Sequence, residues 1–157
     1  MVEVINAARS SISAARIREA VATAAAVPEV AARLPGGDWD LAVRIAGDQE
    51  LRRLNRQFLG EDHVTDVLSF PSGQPGDGHV GDVVISWAAV LRQAAEFGHP
   101  PEAELLLLTV HGFLHVLGWD HASAVEEVEM TRLTLGTLSA LGLHLAPGRL
   151  LTVAPPG

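Results

Sequence analysis

The chain has 157 residues, a length that suits one domain and buries about two thirds of the unfolded surface. It holds no Cys, which excludes a disulfide framework, thiolate zinc ligation and a cysteine nucleophile, and no Lys, which excludes Schiff-base chemistry and a P-loop lysine. All 11 basic side chains are therefore Arg, and a net charge of −8 with 7 His neutral argues against a broad nucleic-acid-binding surface, though it leaves local charge open.

Near the N-terminus, Arg9, Arg16 and Arg18 interrupt any apolar core, so no secretory signal is expected. Val2 to Ala7 alternates weakly and suggests a strand. Ser13 to Ala26 is Ala-rich and reads as a helix ending before Pro28. Pro35-Gly36-Gly37 marks a turn. Trp39 to Ala46 alternates, with Leu41, Val43 and Ile45 on one face of an expected strand. Asp48 suits the cap of a following helix, which carries Leu51, Leu54 and Phe58 and stops at Gly60.

Val67 to Phe70 and Asp82 to Trp87 are short β-branched and apolar runs. A Gly/Pro-rich polar stretch between them predicts a hairpin with a wide loop. Its Gly76, Gly78 and Gly81 satisfy G-x-G-x-x-G, but they precede a strand instead of opening a helix, so no dinucleotide site is expected. Trp87 to Phe97 reads as a helix stopped by Gly98-His99-Pro100. Pro101 suits a first helical position, with Glu102 and Glu104 at the positive end of a helix running to about Leu117. That helix is apolar nearly all round and should be central and buried. Its uncharged stretch, Leu105 to Gly118, is too short for a bilayer span, so a soluble cytoplasmic protein is expected. Ala124 to Leu141 is a further helix. The expected class is α+β (mixed α/β), a small mixed β-sheet packed with helices, in one domain over residues 1–157 with a loose tail at 146–157.

Three histidines fall in the run HGFLHVLGWDH at positions 111–121. On a helix His111 and His115 share a face one turn apart, and two imidazoles there can bind one ion at about 2.0–2.1 Å each. Gly118 can take a left-handed conformation and turn the chain back, letting His121 supply a third nitrogen. Three nitrogens leave a fourth position open, the catalytic pattern for zinc. A single buried histidine is usually a satisfied core residue. Three of them around a helix-breaking glycine are better explained by a metal. The spacing H-x-x-x-H-x-x-G-x-x-H is that of a zincin-like metal-binding helix as in metzincin proteases, which place a Glu general base directly after the first His. Here that position is Gly112, which cannot accept a proton.

The same run resembles the H-G-x-L-H-x-x-G-x-D-H signature of the YbeY-type endoribonucleases, the bacterial rRNA maturation factors. Asn55-Arg56, Thr65 to Pro71, Gly81 to Ser86 and the stretch from Glu126 through Met130 to Gly142 resemble further blocks of that family, in its order. The resemblance implies a zinc-dependent, single-strand-preferring endoribonuclease acting in 16S rRNA 3′-end maturation and ribosome quality control. His111, His115 and His121 would be its metal ligands. One Zn²⁺ per chain is expected, with Ni²⁺ or another divalent transition metal possible on the same ligands. The partners implied are an rRNA precursor and the ribosome or its small subunit, with no membrane.

One position departs from the family, which often has Arg where this chain has Leu59. Arg56 lies one turn earlier, with Arg52 another turn back. With no Lys, any RNA contact must use Arg, and Arg52, Arg53 and Arg56 are the densest cluster: either Arg56 serves the phosphate, with Arg52 and Arg53 as candidate substrate-binding residues, or they simply solvate an exposed helix face. Asp66 and Asp120 are candidate general bases or turn residues, and Asp82 is a candidate orienter of an imidazole. Two other functions use the same residues: a metallopeptidase-like hydrolase and a non-catalytic ribosome-associated factor. Gly112 weighs against the first, and the open fourth position weighs against the second. An acidic chain with one small positive cleft should bind free RNA weakly and act on an RNA end presented to it.

Overall fold

The computed structural model describes residues 1–62, 65–72, 78–120 and 122–145. Its elements run in the order β1 (Val2–Asn6), α1 (Ala14–Ala25), α2 (Pro28–Ala31), β2 (Asp40–Ala46), α3 (Asp48–Leu59), β3 (Val67–Pro71), β4 (His79–Ser86), α4 (Trp87–Phe97), α5 (Pro101–Val116) and α6 (Ala124–Ala140). The class is α+β, as expected. The four strands form one sheet in the order β1-β2-β4-β3. β1 and β4 run parallel to β2, and β3 is an antiparallel edge strand paired to β4. The expected wide hairpin is thus present. The residues of its loop at 73–77 lie outside the described segments, as does the tail expected at 146–157.

Period-two alternation gives the sheet two apolar faces. Leu41, Val43, Ile45, Val83 and Ile85 join residues of α1, α5 and α6 in the main core. On the opposite face Ala46, Leu68 and Val84 form a smaller cluster with Leu51 of α3. α5 is the central element, buried from Ala103 to Val110. A helix surrounded by protein needs no polar stripe, which is why its sequence is apolar nearly all round.

One expectation changes. Asp48 is the first residue of α3 and Gly47 is its N-cap. The Asp48 carboxylate reaches away from its own helix end, accepting from Ser86 Oγ at 2.6 Å and Arg92 Nη1 at 2.8 Å. α1 ends at Ala25, before Pro28 as expected, and Pro28 opens the short α2 almost directly after it. A proline at the first helical position loses no hydrogen bond.

Candidate functional site

Glycine contacts set the position of α5 on the sheet. A Cβ at Gly112 would lie 2.6 Å from Val83 Cγ1 and 3.3 Å from Ser69 Oγ. The Ser69 hydroxyl donates to the Gly112 carbonyl at 3.1 Å. One turn on, Val116 presses against Gly81, where a Cβ would lie 2.7 Å from Val116 Cγ1. Gly112 and Val116 therefore face β4, and α5 runs antiparallel to it.

His111 and His115 lie about a quarter-turn to one side of that stripe. Phe113 lies to the other side and stacks on Trp39, just before β2, at 5.8 Å. The histidine flank thus faces the edge strand β3. The two imidazoles are half-buried, with ring centroids 4.6 Å apart and planes at 72°. Two imidazoles one turn apart on a helix face are a donor pair of the kind that suits a divalent transition ion. His121 lies outside the described residues.

α5 ends as its glycine requires. Gly118 has φ 103°, its N–H bonds the His115 carbonyl at 3.0 Å, and the Trp119 N–H bonds the Leu114 carbonyl at 3.2 Å. That pair of bonds is a Schellman closure. The loop beyond it is held by Arg33, which follows α2. The Arg33 guanidinium stacks over the Trp119 ring at 3.6 Å, donates to the Leu117 carbonyl at 3.4 Å and lies 3.9 Å from Glu126. Glu126 in turn accepts from the Asp120 N–H at 3.0 Å. Trp119 is buried, as an anchor should be, although its indole N–H has no partner among the described residues.

The carboxylates expected near the histidines have other partners. Asp66 accepts from Gln93 Nε2 at 3.2 Å, and its carbonyl accepts from the Ser86 N–H at 2.8 Å. Asp120 is exposed and closes a local turn by accepting from the Ala122 N–H at 3.3 Å. Asp82 lies 3.3 Å from His79, which also bonds Asp40. The Asp40 carboxylate, with Asp82 behind it, holds the His79 pKa above the ordinary imidazole value despite partial burial.

The arginines sit on α3. Spacings of four and three place Arg52, Arg56 and Leu59 along one flank. Arg52 pairs with Asp62 at 2.8 Å, which raises its pKa further, and Arg53 lies 3.9 Å from Glu50. Arg56 is exposed. α3 also runs antiparallel to β4: Leu51 packs with Val84, and Phe58 near its end packs on Phe70, whose register partner is Asp82. The C-terminal ends of α3 and α5 therefore reach the same end of the sheet, on opposite faces, with β3 at the edge between them.

The fold and this site define an α+β protein whose buried central helix presents a histidine pair toward an edge strand, with an arginine-bearing helix on the far face. A family model described as Endoribonuclease YbeY matches residues 4–142, and the chain belongs to the YbeY family. It is 45% identical over 127 residues to the Endoribonuclease YbeY of Chloroflexus aurantiacus, covering 73% of this chain and 79% of that one. It is 38% identical over 151 residues to the Endoribonuclease YbeY of Roseiflexus castenholzii, covering 90% and 92%. The solution structure of TM1509 from Thermotoga maritima shares the fold, with a TM-score of 0.59 at 24% identity over 100% of this chain and 99% of that one.

Proposed function

We propose that this chain is a metal-dependent endoribonuclease that cleaves single-stranded RNA in 16S rRNA 3′-end maturation and ribosome quality control. It would act in the cytoplasm, as a single domain, on an RNA end presented by the small ribosomal subunit. The observation that carries this reading is the pairing of His111 and His115, 4.6 Å apart on one face of a helix, in a chain of the YbeY family. His111 and His115, with His121, would hold one divalent ion, for which Zn²⁺ suits the three nitrogens. Such an ion supplies Lewis acidity toward a phosphoryl oxygen and acidifies water.

The rest falls to the chain itself. The burial of α5 fixes the imidazole rings before substrate arrives, so little ordering is left for the reaction step. Arg56 offers a guanidinium that offsets charge developing on the phosphate, the role that Leu59 cannot fill. Close packing at Gly112 argues against the peptidase alternative. An acidic side chain there would have to enter the space of Val83 and would point into the sheet, away from any substrate.

The test is cleavage of a structured RNA with a single-stranded 3′ extension by metal-loaded protein and by His115→Ala. Cleavage by the wild type alone, with about one ion per chain, supports the proposal. Equal cleavage by both would point to a contaminating nuclease and refute it. No helix among the described residues is long and apolar enough to cross a membrane.

A further inference from the structure

Large apolar side chains are costly to leave in water, so a cluster of them at one point suggests a use. Phe58 is 59% exposed and Leu59 is 55% exposed, adjacent at the C-terminal end of α3. Phe58 should face the sheet, since it continues the spacing of Leu51 and Leu54. There it meets Phe70, edge to face at 5.5 Å. That contact fixes the ring and leaves much of its surface open. On the same helix Arg53 and Arg56 are exposed too, but helical spacing sets them about 140–160° around the axis from Phe58.

We infer that Phe58, braced by Phe70, is a stacking platform for one nucleobase of the single-stranded RNA. The inference rests on the endoribonuclease reading and deepens it by naming a binding position outside the histidine site. Geometry favours this occupant. α3 and α5 end at the same end of the sheet, so a strand crossing the edge strand β3 can run from the histidine flank to Phe58. Stacking on an aromatic ring is indifferent to base identity. The platform would therefore grip single strands without restricting sequence. It would also discriminate against duplex, whose bases are already stacked on each other. The exposed apolar residues of α6, Val125, Val128 and Leu135, are aliphatic and offer no flat ring.

The experiment uses metal-loaded protein and single-stranded oligoribonucleotides carrying 2-aminopurine at successive positions. Wild-type protein should quench the fluorophore at one position, by stacking. Phe58→Ala should abolish that quench and weaken binding by about tenfold, the order of one lost base–aromatic stack. Phe58→Leu keeps apolar area without a flat ring and should lose as much. Phe58→Trp should restore both quench and affinity, which a merely structural role would not require. The loss should appear in KM with kcat little changed. Leu135→Ala serves as the control and should bind as wild type.

Unchanged binding by Phe58→Ala overturns the inference, as does full binding by Phe58→Leu. Loss of small-subunit association without loss of oligonucleotide binding also overturns it, in favour of a protein-docking face. A wild-type protein that cleaves RNA with no dependence on Phe58 refutes the platform alone. One that neither binds nor cleaves RNA refutes the underlying reading as well.

Discussion

Replacing Gly112 by alanine adds one methyl group at the tightest contact between α5 and the sheet. The new Cβ would sit 2.6 Å from Val83 Cγ1 and 3.2 Å from Val83 Cγ2. Carbon atoms prefer about 3.5–4.0 Å, so the overlap is about 1 Å. Val83 is fully buried on β4, between β2 and β3, and cannot swing away. Overpacking of this kind costs about 1–3 kcal/mol. Alanine returns about 0.8–1.0 kcal/mol through better helix propensity. Any shift of α5 also stretches the Ser69–Gly112 hydrogen bond, worth about 0.5–1.5 kcal/mol. The sum is a destabilisation of about 0.5–3.7 kcal/mol, which for this size lowers Tm by roughly 1–15 °C. Thermal unfolding followed by circular dichroism measures it. Combining Gly112→Ala with Val83→Ala should cost at least about 1 kcal/mol less than the two single changes added. A Tm for Gly112→Ala equal to or above wild type would refute the packing argument. So would strict additivity in the double variant.

Further outcomes concern the groups around the site. The folded-state pKa of His79 is raised, first by its bond to Asp40 and then by Asp82, so its contribution to stability is complete below the unfolded imidazole value. It fades as pH rises through the folded value, so the stability gap between wild type and His79→Gln should be wide at pH 5 and narrow at pH 9; a gap independent of pH would be inconsistent with the pairing. Arg33→Ala should loosen the loop after α5 and weaken metal binding by roughly 10–100-fold, the usual loss when a support behind a ligand goes. Chelator competition reads that loss, and a red shift of tryptophan emission reads Trp119 opening to water; unchanged values of both would leave Arg33 without a positioning role. Arg56→Ala should slow cleavage without lowering bound metal, and an unchanged rate removes Arg56 from the mechanism.

Local pattern carried most of the fold. α4 and α5 start where the sequence places them, because caps, prolines and helical spacing are short-range signals. β2 and β4 are legible from β-branched runs bounded by turns. The histidine pair is legible because four residues make one helical turn. Contacts between distant segments are another matter. Arg33 meets the Leu117 carbonyl across 84 positions, and Asp40 meets His79 across 39. Nothing periodic marks either pairing. His99 looks like part of a helix stop, yet it is buried against the fully buried Glu104, 2.8 Å away. A Glu in a first turn ordinarily reads as a dipole partner, and only tertiary packing shows that this one faces inward. Phe58 fits an apolar face by spacing, yet more than half of it stays exposed, which spacing alone does not reveal.

The sheet's two outer strands have a consequence for colloidal behaviour. β1 and β3 span only five residues each, and β3 ends at Pro71, which has no N–H to offer. A short border with a missing donor is a poor template for strand addition. The RNA proposed to cross β3 would thus meet a border that does not readily recruit another polypeptide. The protein should therefore resist edge-to-edge assembly even when concentrated.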